Sequence, residues 1–507
     1  MRFLRRAWLP AVVFLTGACV LIIELAATRV LAPYFGNTIY SVSSVISVVL
    51  AALSIGYWFG GRLADRFPSK TLFFSIIGLS GLLVLFTQFA QVVFLEGFGY
   101  KLSLAFGPLI MSVVLFFIPS FVLGTLSPFA VTLLQKEAKG QGVGTTAGQI
   151  FFFSTLGSIA GSLSAGFFLI PFLGVSTILI GVGVFLFLLG IIPIAYFGIE
   201  RRFTVVVTVL AAGLLLLASS SMPAAMDNVV YARDGVYERI TILDGTYRGR
   251  PARFLRQDTS HSAAMYLDSD ELAYDYTKYY VLHRMFVPEV KRALVIGGGA
   301  YSIPKALLAE LPDVRVGVSE IEPSLVELSK TYFRLPDDPR LTHYIKDGRR
   351  MLHDTPHQYD VIFSDVYQSM YAIPAHFTTK EFMELARSKL TENGIFIANL
   401  IGDLRTNGPS FIWSEVRTMQ EVFPQVYLFA VVSPNHTETQ NLIAVGSNNP
   451  ARVDIKDIGW RASSNSIIAD IADHYVDIKE IDLTRYPILT DDYAPVDYLT
   501  SKVLPKR

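Results

Sequence analysis

The stretch ALVIGGG, residues 293–299, decides the fold of the C-terminal half. Its four apolar residues predict a short buried strand, and the glycines followed by an apolar-periodic run at residues 303–310 predict a tight turn into a helix. Glycine has no Cβ, so a ligand can approach this backbone closely, and the helix N-terminus supplies unpaired N–H groups. A glycine triplet alone is weak evidence for function.

Two acidic residues further along the chain strengthen the functional interpretation of Gly297, Gly298 and Gly299. The second predicted strand ends in Glu320, at a distance along the chain where a carboxylate in this topology accepts from both hydroxyls of a ribose. Asp347 and Gly348 follow a third strand, where Asp347 can accept from an adenine amino group. Each carboxylate alone is more often a solvated loop residue. The ordered set predicts a nucleoside site, because a doubly wound sheet brings its strand ends to one crevice.

A fourth acidic residue, Asp365, follows the predicted strand Tyr359–Ser364. A carboxylate at the end of a buried strand suits a group that orients or deprotonates an attacking nucleophile. The alternative is a loop acid or a helix N-cap. The position of Asp365 after the fourth strand of this sheet favours the functional interpretation.

Strands and helices alternate from Arg292 onward, which predicts a largely parallel α/β sheet covered on both faces. Further apolar strands are predicted at Gly394–Leu400, Val426–Val432 and Asn441–Val445. Short alternating runs between Tyr237 and Leu267 predict strands in hairpins. A small β-rich subdomain therefore precedes the α/β domain.

The N-terminal part of the chain is strongly apolar, and most charged residues come after Asp227. A bilayer core requires about 20 apolar residues in a helix. Seven segments qualify: Trp8–Phe35, Val42–Gly61, Thr71–Phe94, Pro108–Leu134, Gly148–Ile170, Val175–Phe197 and Phe203–Ser219. They predict a multi-pass α-helical domain in the cell membrane. Gly157, Gly161 and Gly166 predict close helix contact in the fifth span.

Basic residues in the short loops predict the orientation of these spans. They lie at the N-terminus and after spans two, four and six, whereas the opposite loops offer only Lys101. The N-terminus is therefore expected in the cytoplasm, and seven spans place everything after Ser219 on the outer side. An even number would reverse that side, for instance if the fourth segment, which contains Pro119 and Pro128, is re-entrant.

Two features of the membrane half have both a structural and a functional interpretation. The loop GGRLADR, residues 60–66, resembles the loop between helices two and three of the major facilitator transporters, but a charged loop that sets topology is the favoured explanation. Glu24 lies within the first span, where an ionisable side chain is costly. A hydrogen-bonded structural pair is favoured there over a polar pathway.

The ordered motifs as a set resemble a known family. Residues 236–444 are similar to the polyamine aminopropyltransferases, the spermidine synthases. The motifs that carry the resemblance are VIGGG at 295–299, Glu320-Ile321-Glu322, Asp347-Gly348, Asp365 and AHFTTKEF at 375–382. The resemblance implies a class I methyltransferase-like, Rossmann-like domain behind a small β-subdomain. It implies decarboxylated S-adenosylmethionine as cosubstrate and methylthioadenosine as product, with no permanently bound cofactor.

The resemblance also implies roles for individual residues. In that family the counterpart of Glu320 holds the ribose, and the counterparts of Asp347 and Gly348 hold the adenine beside the glycine turn. The counterpart of Asp365 removes a proton from the amine that attacks the aminopropyl carbon.

The departures from the family lie mostly on the side of the acceptor amine. Ala300 replaces an acidic residue, and an Asp-x-x-Asp motif is reduced to DVYQ at 365–368. A Tyr-His-Glu gate becomes YDY at 274–276, and Glu238 replaces a glutamine. A diamine needs polar anchors at both ends, so these losses argue against unmodified putrescine specificity. The predicted acceptor-binding residues are Glu238, Tyr274, Asp275, Tyr367 and Gln368, and Tyr301 and Tyr371 are further aromatic candidates.

Composition excludes other classes of protein. The 43 basic and 43 acidic residues cancel, so no nucleic-acid partner is predicted. A single cysteine, Cys19, and histidines without ligand spacing predict no metal site. The segment LTDDYAPV at 489–496 resembles a segment of membrane-fused members of the group and predicts a capped turn without a catalytic role.

We therefore divide the chain into a transmembrane domain at 1–222, a small β-rich subdomain at 223–290 and a spermidine synthase-like α/β catalytic domain at 291–507. The first functional hypothesis is transfer of an aminopropyl group to a di- or polyamine. The second is methyl transfer from S-adenosylmethionine, and the third is a transporter or sensor whose soluble domain only binds ligand. The expected partners are a small amine, a nucleoside and the lipid bilayer, and a homodimer stays open.

Overall fold

A computed structural model of the chain describes residues 2–137, 142–196, 213, 228–235, 237–258, 260–367 and 373–503. The chain divides into two units, Met1–Met226 and Asp227–Lys506. The first unit is helical, and the second contains two β-sheets with their helices.

The helices of the first unit are α1 (Arg2–Phe35), α2 (Ile39–Arg66), α3 (Lys70–Gln91), α4 (Gly107–Gly124), α5 (Leu126–Glu137), α6 (Val143–Ser164), α7 (Ile170–Phe172) and α8 (Val175–Tyr196). Within the described residues, 6 helical spans are long and apolar enough to cross a membrane. They are Trp8–Phe35, Ile39–Arg66, Lys70–Leu95, Gly107–Glu137, Val143–Phe172 and Val175–Ile194. These correspond to the first six predicted segments. The seventh, Phe203–Ser219, falls outside the described residues apart from Gly213, so a count of seven stays a prediction.

The fourth span is interrupted between α4 and α5, at Thr125. Pro128 lies in the first turn of α5 and has no N–H to donate to the preceding turn, so the hydrogen-bond ladder is broken there. Pro119 lies within α4 without ending it. By length and composition the two helices together still form one span, Gly107–Glu137.

Glycines allow the backbones of three helix pairs to touch in the first unit. In α6, a Cβ at Gly157 or Gly161 would overlap the carbonyl oxygen of Phe14 or Ala18 in α1. Glycines likewise join α2 to α4 and α3 to α8. Gly166, in contrast, has open space around its Cβ position, so the prediction that it supports close packing is wrong. Small residues are used in this way because lipid provides no hydrophobic driving force between helices.

A four-stranded antiparallel sheet opens the second unit, in the order β1 (Val229–Asp234), β2 (Arg239–Tyr247), β3 (Arg250–Gln257) and β4 (Ser260–Tyr266). Arg248 and Gly249, both with positive φ, form the two-residue turn between β2 and β3. Such a turn matches the twist of the strands it joins. A 3₁₀ segment, Asp275–Leu282, and a short helix α9, His283–Phe286, lead into the second sheet.

The strands of the second sheet are β5 (Arg292–Ile296), β6 (Arg315–Glu320), β7 (Leu341–Ile345), β8 (Tyr359–Ser364), β9 (Leu390–Gly402), β10 (Gln425–Ala430), β11 (Gln440–Ser447) and β12 (Tyr475–Val476). Their spatial order is β12-β10-β11-β9-β8-β5-β6-β7. The five strands from β9 to β7 are parallel, whereas β11, β10 and β12 pair antiparallel.

The longer helices of this unit are α10 (Ser302–Glu310), α11 (Ser324–Tyr332), α12 (Gly348–Asp354), α13 (Lys380–Ser388) and α14 (Phe411–Val422), followed by α15 (Ser466–Ala469), α16 (Ile471–His474) and α17 (Val496–Val503). Alternate residues of β5 enter different cores: Leu294 packs with α12, α13 and α14, and Val295 packs with α10. The sheet is therefore covered on both faces. The chain leaves β5 toward β7 and resumes at β8 on the other side of β5. This reversal places a crevice at the carboxyl ends of β5 and β8.

Candidate functional site

The glycine turn after β5 lies directly against the end of β8. Gly297 has φ +90° and Gly299 has φ +51°, conformations that favour glycine. A Cβ at Gly297 would overlap the carbonyl oxygen of Asp365, and the Asp365 N–H donates to the Ile296 carbonyl at 2.9 Å. The glycine turn is therefore in direct contact with the backbone of Asp365, the residue that follows β8.

Glu320, the last residue of β6, receives hydrogen bonds from that turn. Its Oε2 accepts from the N–H groups of Gly298 at 2.8 Å and Gly299 at 3.2 Å, and its Oε1 accepts from the Glu322 N–H at 2.9 Å. Burial raises the pKa of Glu320, and these backbone hydrogen bonds oppose the shift. A carboxylate oxygen can accept two hydrogen bonds, so Glu320 retains acceptor capacity for a ligand hydroxyl.

Asp347 is the N-cap of α12, which follows β7. Its Oδ1 accepts from the Arg350 N–H at 3.0 Å, and its Oδ2 lies 3.1 Å from Nε2 of His376. Burial acts to raise the pKa of Asp347, but hydrogen bonds from His376 and the Arg350 backbone outweigh it and lower the pKa overall. At Gly348, a Cβ would overlap the side chain of Ile296, so glycine lets α12 begin directly beside β5.

The carboxylate of Asp365 is held by two side chains from distant parts of the chain. Asn399 Nδ2 donates to Oδ1 at 2.9 Å, and the Tyr276 hydroxyl donates to Oδ2 at 3.0 Å. Asn441 Nδ2 in turn donates to Asn399 Oδ1 at 2.9 Å, which fixes the orientation of that amide. Burial raises the pKa of Asp365, against the effect of Asn399 and Tyr276. A carboxylate with a raised pKa is a better proton acceptor near neutral pH.

The structure thus brings the glycine turn, Glu320, Asp347 and Asp365 to one edge of the sheet. Glu320 contacts the turn through its side chain, and Lys346, the residue before Asp347, donates its N–H to the Glu320 carbonyl at 3.2 Å. These contacts follow from the order of the parallel strands.

Glu238 joins the same region from the small sheet. Its side chain accepts a short hydrogen bond from Gln257. Burial, followed by the charge of Asp258, raises the pKa of Glu238 well above its ordinary value, and Glu320 and Glu322 add to the effect. Glu238 therefore lies within the electrostatic influence of the predicted ribose-binding carboxylate.

The remaining predicted acceptor residues have different surroundings. Asp275 forms a two-pronged ion pair with Arg248, at 3.1 and 2.5 Å, and a second with Lys278 at 3.3 Å. Its charge is therefore already compensated by protein groups. Tyr274 packs edge-on against Tyr247. It is Tyr276, the next residue but one, that reaches Asp365.

Tyr367 and Tyr301 are both anchored by the protein. The Ile401 N–H donates to the Tyr367 hydroxyl at 2.6 Å, which ties the segment after β8 to the end of β9. Tyr301 is fully buried, with its hydroxyl 3.2 Å from Nδ1 of His343. Gln368 and Tyr371 lie outside the described residues.

Sequence reasoning missed Asn399 and Asn441, and it gave neither Tyr276 nor His376 a catalytic or binding role. The available signal was a polar residue in an apolar strand: Asn399 is the one amide within the buried run of β9. In the described part of the chain, no group of three or more His, Cys, Asp or Glu side chains is arranged to hold a metal ion.

Comparisons with known proteins identify a matching family model and similar proteins. The family described as the spermine/spermidine synthase domain matches residues 280–457. The polyamine aminopropyltransferase of Corynebacterium efficiens is 26% identical over 445 residues, covering 81% of this chain and 80% of that protein. Polyamine aminopropyltransferase 1 of Streptomyces coelicolor is 25% identical, covering 75% of this chain and 73% of that protein. A crystal structure of a probable spermidine synthase from Corynebacterium glutamicum aligns with a TM-score of 0.45 at 22% identity, over 52% of this chain and 97% of that chain.

Proposed function

We propose that this chain, a transferase with a spermine/spermidine synthase domain, transfers the aminopropyl group of decarboxylated S-adenosylmethionine to a di- or polyamine. Methylthioadenosine is the second product. The observation that carries the proposal is the Asp365 carboxylate, which Tyr276 and Asn399 hold by hydrogen bonds while the backbone of Asp365 contacts the glycine turn.

The donor nucleoside occupies the crevice at the ends of β5, β6 and β7. Glu320 accepts from the ribose hydroxyls, and Asp347 accepts from the adenine amino group. At Gly299 the Cβ position is open, so a ligand can approach the backbone there, whereas a Cβ at Gly297 or Gly348 would overlap neighbouring protein atoms. No metal or permanently bound cofactor has a part in this step.

The chemical step is a displacement at the carbon next to the sulfonium. The amine loses a proton to Asp365, its nitrogen forms a bond to the aminopropyl carbon, and the carbon–sulfur bond breaks. The electron pair of that bond stays on sulfur and leaves a neutral thioether. The raised pKa of Asp365 suits this role, because the carboxylate must accept a proton from an amine near neutral pH.

The proposed acceptor site differs from that of the family in its acidic residues. Ala300 offers no charge, and Asp275 is paired with Arg248. Glu238 accepts a hydrogen bond from Gln257 and is the remaining carboxylate among the predicted acceptor residues with described side chains. We therefore assign Glu238 to an amine end, with Tyr274 and Tyr367 as further acceptor contacts, and Gln368 stays a prediction from the sequence.

The first unit anchors the enzyme in the membrane. The charge pattern of the short loops supports a cytoplasmic N-terminus, and with a seventh span at Phe203–Ser219 the catalytic unit is expected on the outer side.

The test is the substitution Asp365→Asn in the full-length protein. Aminopropyl transfer, followed by product mass, is expected to fall by about 10²- to 10⁴-fold because the proton acceptor is lost. The affinity for methylthioadenosine is expected to change little. Asp313→Asn, at an exposed loop acid, is the matched control and should leave both quantities unchanged.

Two outcomes would contradict the proposal. A product that has gained a methyl group would support transfer from S-adenosylmethionine instead. Undiminished aminopropyl transfer by the Asp365→Asn protein would remove Asp365 from the mechanism.

A further inference from the structure

The segment Thr490–Tyr493 near the C-terminus forms a narrow turn. The N–H of each end residue donates to the carbonyl of the other at 3.0 Å, and the Thr490 hydroxyl accepts from the Tyr493 N–H at 3.1 Å. Leu489, just before the turn, accepts from the Lys380 N–H at 2.8 Å. The turn is therefore attached to the start of α13.

Asp491, within this turn, joins the N-termini of two helices. Its oxygens accept from Arg349 Nη1 at 2.7 Å and Nη2 at 2.6 Å, and Oδ1 also accepts from the Thr379 hydroxyl at 2.7 Å. Thr379 is the N-cap of α13, and Arg349 is the second residue of α12. The Asp491 N–H donates to Glu381 Oε2 at 2.9 Å. A two-pronged carboxylate–guanidinium pair fixes orientation as well as distance.

From Arg349 the contacts continue to the predicted adenine site. Arg349 Nη1 also donates to the carbonyl oxygen of His376 at 3.2 Å, and His376 Nε2 lies 3.1 Å from Asp347 Oδ2. The His376 ring packs against Phe377, with ring centroids 4.3 Å apart. Four residues thus form a continuous path, Asp491 to Arg349 to His376 to Asp347, in which Arg349 contacts the backbone carbonyl of His376 and the His376 ring contacts Asp347. We call this path the C-terminal relay.

The charges in the relay favour its persistence near neutral pH. The hydrogen bond from Arg349 lowers the pKa of Asp491, and the hydrogen bond to Asp491 raises the pKa of Arg349. Both members therefore keep their charges over a wide pH range.

We propose that Asp491 is a positioning residue for donor binding: through Arg349 and His376 it orients the Asp347 carboxylate toward the adenine amino group without contacting the nucleoside itself. The inference rests on the proposed function. It gives the TDDY turn a role that its sequence alone did not indicate.

The experiment measures binding of methylthioadenosine and of methylthioinosine, which lacks the amino group, to the full-length protein in detergent. Asp491→Asn keeps the size of the side chain and removes its charge. We expect its affinity for methylthioadenosine to fall by about tenfold and its affinity for methylthioinosine to be unchanged. Asp492→Asn, at the exposed neighbour in the same turn, is the matched control and should bind both ligands as the parent does.

A second variant separates positioning from general destabilisation. His376→Ala is expected to weaken methylthioadenosine binding to a similar degree, and the double variant His376→Ala with Asp491→Asn should lose no more than either alone, because both act through Asp347. Asp491→Glu, which keeps the charge, should restore part of the affinity.

The outcomes distinguish this inference from the proposed function. If the parent protein binds methylthioadenosine and Asp491→Asn binds it equally well, or loses both ligands equally, the positioning role is wrong and the turn is only a structural staple. If the parent protein binds no methylthioadenosine, the proposed function itself fails.

Discussion

Asp365 is a partly buried carboxylate whose pKa is set by opposing effects. Burial favours its protonated form, whereas Tyr276 and Asn399 stabilise its ionised form. Burial and the charge of Asp365 raise the pKa of Tyr276, so the phenol keeps its proton and remains a donor. The balance of these effects sets the pH at which the proposed base becomes active.

Removal of one donor should therefore shift that pH. In Tyr276→Phe the ionised form of Asp365 loses a hydrogen bond, so the pKa of Asp365 rises further. We expect the acidic limb of the kcat profile to move to higher pH by roughly one unit. Tyr274→Phe, two residues away, is the control, and a profile that shifts equally in both variants would contradict the assignment.

Glu415 is a buried carboxylate of a different kind. It is 1% exposed in α14, and its Oε2 has no hydrogen-bond partner among the described residues. Burial raises its pKa well above the ordinary value of 4.5. The folded state therefore binds this proton more tightly than the unfolded state, and the free energy of unfolding should fall as pH rises above about 4.5 toward the raised pKa.

Glu415→Met should remove that dependence. An apolar side chain of similar volume avoids the cost of the buried acid, so we expect a gain of about 1–4 kcal/mol near pH 8 and a smaller gain near pH 5. Thermal unfolding of the full-length protein at both pH values measures it. Glu421→Met, at an exposed position of the same helix, should show no such pH dependence.

Part of the site at this scale follows from the sequence. Gly297–Gly299, Glu320 and Asp365 were predicted because residues at the ends of parallel strands meet at one edge. Tyr276 and Asn399 were not, because they lie 89 and 34 residues from Asp365 and their contacts depend on side-chain packing across elements. Asp275 was predicted to substitute for a lost acid, but its pairing with Arg248 depends on a turn in the other sheet.

At the scale of elements, the alternation of strands and helices predicted the doubly covered sheet. The strands expected at Tyr359–Ser364 and Gly394–Leu400 are found within β8 and β9. The antiparallel direction of β10 and β11 was not predicted. A strand that is buried on both faces has the same apolar pattern in either direction, so the pattern does not indicate whether it pairs parallel or antiparallel. The length of the connection between two strands carries that information instead.

The contact between α6 and α1 depends on the absence of a side chain. A methyl group at Gly157 would overlap the Phe14 carbonyl, so Gly157→Ala should force the helices apart at a cost of about 1–3 kcal/mol. Thermal unfolding in detergent measures the loss. Gly148→Ala in the same helix meets open space and should be neutral or stabilising. Equal losses in the two variants would indicate that helix packing is not the cause.

For the whole molecule, the sequence predicted an apolar helical unit followed by an α/β unit. The similarity to the Corynebacterium efficiens protein extends over 445 residues, more than the second unit contains, so it includes part of the first unit. The side of the membrane follows from the parity of spans, and parity depends on Phe203–Ser219.

A pair of fusions tests that parity. A reporter that folds only in the cytoplasm should be active after residue 200 and inactive at the C-terminus if Phe203–Ser219 crosses the bilayer. Deletion of residues 203–219 should then restore activity at the C-terminus. An active C-terminal reporter on the intact chain would instead place the second unit, Asp227–Lys506, in the cytoplasm.

The overlap between a Cβ at Gly297 and the Asp365 carbonyl has a consequence for how this enzyme can diversify. The glycine turn and the strand end that bears Asp365 are in van der Waals contact. If the loop after β8 is exchanged to change the acceptor specificity, the new loop must therefore keep the Asp365 carbonyl in the same position. Otherwise the glycine turn is displaced as well. Functional proteins with an exchanged loop should carry compensating substitutions near residue 297. The loop after β8 and the glycine turn should therefore covary.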